Sequence, residues 1–220
     1  MTFAIVFVGW IFSLCLHEFS HALVAYLGGD HTVKDKGYLT FNPLRYTDPF
    51  LSLILPLIFL VMGGIGLPGG AVYIERWRLR GRGWQSAVSL AGPMANVVML
   101  AVLGISLHFA PFETAYAQNS PWPGLAFLAF IQVSAIVLNL LPLPPFDGYG
   151  VVEPFLPIET REQIDRMRGF LPLIVFAALF FVPPVYNAFW QVVGTISQFA
   201  GIPDILIGLG YTRFQFWSLH

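Results

Sequence analysis

The segment HEFSH, residues 17 to 21, carries two histidines four residues apart with a glutamate beside the first. On a helix this spacing stacks His17 and His21 one turn apart on a single face, with Glu18 adjacent. Two imidazoles so placed can share one zinc ion, and the neighbouring carboxylate can accept a proton from water that the metal activates. The surroundings make the pattern informative. It falls in the second half of an apolar run that begins at Phe3, and ionisable groups deep in such a run are costly and usually mark function. At about 1.5 Å per residue, His17 lies roughly 15 Å below a helix end at Leu27.

Catalytic zinc takes three protein ligands and leaves one position open. Few acids follow an apolar run elsewhere in the chain, and the best placed is Asp147, in NLLPLPPFDGYG. Pro142, Pro144 and Pro145 break the preceding helix and Gly148 allows a turn, so the backbone left unpaired there must face protein or a cavity. An aspartate that merely ends a helix at the membrane interface would have the same neighbours. Topology decides between the two.

The elements that must hold these residues follow from composition. The chain has 220 residues, 56% hydrophobic, 16% aromatic and 10% charged, with a mean hydropathy of +0.71. That is too little polar surface to cover a soluble globule of this size, so an integral membrane protein is expected, with the bilayer as its environment and no nucleic-acid partner. Cys15 is the single cysteine, which excludes disulfides within the chain and a Cys-based zinc ribbon. The N-terminus lacks a basic leader region and a cleavage site, and is read as a retained first span.

Stretches of about 20 apolar residues cross a bilayer as helix. Windows at 3 to 27, 86 to 110, 124 to 146 and 186 to 209 fit, the last interrupted by Gly201 and Pro203. A shorter one at 166 to 182 ends at Pro183-Pro184, and an ambiguous run at 50 to 67 is interrupted by Pro56. Basic residues arbitrate. If 50 to 67 dips in and returns, all eleven basic residues share one side. The expectation is therefore an all-α polytopic membrane protein: one membrane-embedded domain over 1 to 220, with five spanning helices. A re-entrant segment at 50 to 74 would carry short extended strands near the active site. The N-terminus would be external, and the C-terminus and the active site would lie toward the cytoplasm. The first span and the 124 to 146 span then run the same way, which brings Asp147 to the depth of HEFSH.

Three motifs in this order, HEFSH, AGPMANVV with Gly92, Pro93 and Asn96, and NLLPLPPFDG, resemble the site-2 protease family of intramembrane zinc metalloproteases. GYLTFNPLRYTDP resembles the corresponding loop of its small bacterial branch, and no segment is long enough for a PDZ or CBS domain. The resemblance implies one Zn2+ per chain held by His17, His21 and Asp147, with Glu18 as general base. It implies that Asn139 polarises the scissile carbonyl or holds substrate, and that Gly92-Pro93 lets the middle helix pack closely on the catalytic ones. The implied activity is regulated intramembrane proteolysis of single-span membrane proteins in a prokaryotic cytoplasmic membrane. DGYG departs from the family pattern after the aspartate.

A substrate helix must unwind before it can be cut, and its freed backbone then needs partners. LPGGAVYIE, residues 67 to 75, could supply them as an added strand, with Gly69, Gly70, Ala71 and Val72 against the substrate: Gly69 and Gly70 allow close approach, and Val72, Tyr73 and Ile74 favour extension. An ordinary loop leading to the arginines of RWRLRGR is the plainer reading of the same residues, and those arginines are expected to anchor topology and contact lipid phosphate. His31, His108 and His220 are read as solvated or terminal. Two rivals stand beside the protease: a membrane metal-binding or transport protein using the same ligands, and a catalytically silent relative that binds membrane proteins. The absence of further buried acids along a path disfavours the first, and the intact Glu18 disfavours the second.

Overall fold

The structure, a computed structural model, describes residues 1–46 and 72–215, and only the backbone at 112 and 113. The re-entrant prediction therefore falls almost wholly outside the described residues, as do Gly69, Gly70 and Ala71.

Three helices are long and apolar enough to cross a membrane: α1 (Thr2–Gly28), α2 (Arg82–His108) and α3 (Trp122–Asn139). α1 ends where Gly29 turns left-handed at φ 119° and its N–H caps the Ala25 and Tyr26 carbonyls, a position that favours glycine. α3 is the central helix, since 78% of its apolar window is buried against 44% for α1 and 39% for α2. α1 and α3 run parallel: Ile5 lies against Gly124, and Ser13 Oγ donates to Gln132 Oε1 at 2.6 Å, both side chains buried. α2 runs opposite, with His17 beside Asn96 and Gly28 beside Trp84.

After α3 the chain makes a short helix, α4 (Asp147–Val152), a 3-10 turn at Glu153–Phe155, and a polar helix, α5 (Ile158–Met167). Then come α6 (Leu171–Phe181), α7 (Pro183–Phe199) and α8 (Asp204–Phe214). The count of five spans is not upheld. α6 has 11 residues, about 16 Å of helix, where the hydrocarbon layer is about 30 Å thick. It meets α7 at 86°, because Val182, ahead of Pro183, is held extended at φ −108°, ψ 98°. Counted as one bent element, α6 and α7 raise the number of candidate spans from three to four. The window at 186 to 209 divides at Gly201 (φ 72°) and Pro203, where its interruption was expected.

The basic residues also distribute differently. The backbone N–H of Arg80 donates to the Gly28 carbonyl at 3.0 Å, so the chain returns to the end of α1 that it left. Arg213, expected on that same side, instead donates to the carbonyls of Tyr116 and Ala117 at 3.0 Å each. It lies at the opposite end of the bundle, beside the turn between α2 and α3, because α8 packs with Phe214 against Phe3 and Phe127. No strand occurs among the described residues, and Val72 to Glu75 form irregular backbone leading into a 3-10 turn at Arg76–Arg78.

Candidate metal centre

α1 presents Ser13, His17 and His21 at intervals of four, all buried, on the face turned toward α2 and α3. The Nε2 atoms of His17 and His21 stand 3.0 Å apart. Asp147, the first residue of α4, closes the group: Oδ2 lies 3.1 Å from His17 Nε2 and Oδ1 lies 3.4 Å from His21 Nε2. The structure thus brings together the three residues predicted as ligands, each offering a donor atom within 4.8 Å of the others.

The second ring nitrogens show which atoms are free to bind. His21 Nδ1 is 2.6 Å from the Val88 carbonyl, which can only accept, so Nδ1 carries the proton and Nε2 its lone pair. His17 Nδ1 donates in the same way to Asn96 Oδ1 at 3.0 Å. Two lone pairs and a carboxylate that point at one another need a cation between them, and Asp147 Oδ2 is buried without a hydrogen-bond partner. Donor type, number and second-ring partners all fit zinc. Val88 and Asn96 lie on α2 at intervals of four about Gly92, one stripe facing α1. Gly92 is obligatory there, since a Cβ would fall on the Nε2 atoms of both histidines. The departure in DGYG has a structural counterpart: Tyr149 is buried, and a Cβ on Gly150 would strike the Ser89 side chain.

Glu18 is 3% exposed and shares a cavity with Val72. Both residues, the triad and the buried Asn139 line a cavity of about 590 Å³ that opens between Arg76, Glu153 and Arg168. Val72 and Asn139 therefore lie in the wall of the same cavity, Val72 in irregular backbone. The other described histidines do not: His31 packs its ring against Tyr26 and His108 against Phe109. Three arginines of RWRLRGR have partners within the protein. Arg76 pairs with Glu153 and Arg78 with Glu75, while the Arg80 guanidinium caps the Leu27 and Gly28 carbonyls at the negative end of α1. Arg78 and Lys36 together hold the Glu75 carboxyl below the usual carboxylate range. The roles of Asn96 and the Val88 carbonyl had not been assigned from sequence. The interval Gly92 to Asn96 would have pointed to the first, and a main-chain acceptor leaves no trace in residue type.

Two histidines one turn apart and an aspartate from a separate helix start, enclosed by apolar helices of membrane-crossing length, define a helical metal centre of hydrolytic type. Comparison with known proteins agrees. The chain is 47% identical over 218 residues to "Putative zinc metalloprotease Rip2" of Mycolicibacterium smegmatis, covering 98% of this chain and 82% of that one. It is 42% identical over 219 residues to the protein of the same name in Mycobacterium tuberculosis, covering 99% and 82%. Against the zinc metalloprotease YwhC of Bacillus subtilis, named with the same qualifier, identity is 33% over 190 residues, covering 82% and 81%. No family profile matches the chain, and no solved structure does. The chain belongs to this family of site-2 protease-like zinc metalloproteases.

Proposed function

We propose that the chain is an intramembrane zinc endopeptidase that hydrolyses peptide bonds of single-span membrane proteins. The observation that carries this reading is the convergence of His17 Nε2, His21 Nε2 and the Asp147 carboxylate beside a buried Glu18, on a helix long enough to cross a membrane. Zinc held by these three residues would polarise the scissile carbonyl and lower the pKa of a water toward about 7. Glu18 would take the proton of the attacking water and return it to the leaving amine. Asn139, buried in the wall of the same cavity, donates its amide to the substrate carbonyl. Val72 and the Gly69, Gly70 and Ala71 that precede it offer backbone groups to the unwound substrate. The cavity opening among Arg76, Glu153 and Arg168 faces the cytoplasm, with the N-terminus outside, since most of the basic residues lie at that end. A metal transporter would need further ligand clusters along a path, and among the described residues His17, His21 and Asp147 form the one such group.

The test is metal analysis of the purified protein together with cleavage of a panel of single-span substrates in detergent and in liposomes. One zinc per chain and cleavage within the span of at least one substrate are expected. Metal binding with no cleavage of any span would favour the silent relative, and metal-dependent ion flux in liposomes would favour the transporter.

A further inference from the structure

Val72 to Arg80 form a strap along the mouth of the cavity, with Val72, Tyr73, Ile74, Arg76 and Trp77 in its lining. Most hydrogen bonds and ion pairs of the strap run back to α1 and the loop after it, and Gln85 and Trp84 of α2 meet Arg76 and Arg80. Val72 lines the cavity together with Glu18. The Glu75 N–H donates to Asp30 Oδ2 at 2.7 Å, where Asp30 is wholly buried. The Glu75 carboxylate pairs with Lys36 at 3.0 Å, and Arg80 caps α1. Among the described residues, one ion pair leaves this side. Arg76 crosses the mouth to Glu153, on the 3-10 turn that directly follows α4, and Asp147 is the first residue of α4. Arg76 also packs on the helix itself, its Nη2 at 3.4 Å from where a Cβ of Gly150 would stand.

We propose that the Arg76–Glu153 pair holds the strap and the Asp147-bearing helix in register, so that the base and the third ligand keep their spacing across the cavity. Arg76 and Glu153 are then positioning residues for the hydrolysis, and the inference rests on the protease reading for its activity arm alone. Exposure separates this role from a structural one. The two side chains are 43% and 15% exposed, and an ion pair this open contributes little to global stability. Breaking it unties the strap from α4 while the bonds to α1 and the loop after it remain, so the bundle stays folded.

The experiment compares Arg76→Gln, Glu153→Gln and the exchanged pair Arg76→Glu with Glu153→Arg. Zinc content, thermal midpoint, deuterium exchange of the 72 to 76 backbone, and kcat and KM on a single-span substrate are measured. In each single variant we expect exchange at least about tenfold faster and kcat at least about tenfold lower, with KM, midpoint and zinc content unchanged. The exchanged pair should recover both to within about threefold of wild type. Wild-type exchange in the single variants overturns the proposal, and so does an exchanged pair no better than they are. Exchange is read without substrate, so a protein that cleaves nothing would defeat the protease reading and leave the coupling to be judged on its own.

Discussion

Gly92 faces the His17 imidazole so closely that a Cβ added to it would stand 2.6 Å from the ring Cε1. Nothing can yield there, because the ring is held from behind by Asn96. Gly92→Ala should therefore displace the imidazoles and lower zinc occupancy at least about tenfold. Gly83→Ala, on the same helix with nothing within 4 Å of its would-be Cβ, should keep full occupancy. Elemental analysis of both variants in one detergent reads the difference.

The base and the ligands separate by phenotype. Glu18→Gln preserves shape and both imidazoles, so full zinc content with cleavage reduced at least about a hundredfold is expected. His17→Ala and Asp147→Ala should lose the metal as well. An active Glu18→Gln enzyme would remove the mechanism, and Asp147→Ala with wild-type zinc affinity would remove that residue from the coordination sphere.

Asn96 orients His17 through Nδ1 and should set metal affinity without touching the metal. Asn96→Ala should weaken zinc binding about 10- to 100-fold in competition with a chelator. The partner of His21 is the main-chain carbonyl of Val88, so Val88→Ala, which keeps that carbonyl, should change affinity by less than about threefold.

Topology is tested with Cys15 replaced by Ser and single cysteines at Arg78, Gln118 and Arg213. Arg213 is bonded to the turn that contains Tyr116 and Ala117. Positions 118 and 213 should thus be labelled from one face and position 78 from the other by an impermeant reagent. Labelling of 213 together with 78 would contradict the packing of α8.

How much of this was legible beforehand depends on the range of the interaction concerned. HEFSH showed its helix and its chemistry together, because a spacing of four is a local property. Asp147 was legible through topology: equal direction of two spans implies equal depth, and Ile5 against Gly124 together with Ser13 on Gln132 bear that direction out. The bend at Val182 was legible as a stop but not as an 86° turn, since prolines end a helix without saying where the chain goes next. Arg213 went astray because a charge rule counts residues, whereas its position follows from Phe214 packing on Phe3 and Phe127. The partners of Arg76 and Arg80 were hidden for a similar reason: Glu153 is distant in sequence, and the Leu27 and Gly28 acceptors are backbone carbonyls.

The hydrogen bond from Arg80 to the Gly28 carbonyl gives the molecule a seam. Everything from Gly29 to Leu79 enters and leaves at one point, so it amounts to a cassette inserted between two helices that already face each other. His17, His21, Asp147, Asn96 and the Val88 carbonyl all lie outside the cassette. Within it lie Val72, Glu75 and Arg76, which border the cavity or brace its edge. Doubling the length of a loop whose ends are already joined costs only about 0.6 kcal/mol. Selection can therefore lengthen or shorten this insert while the helices that carry His17, His21, Val88 and Asn96 keep their pairing.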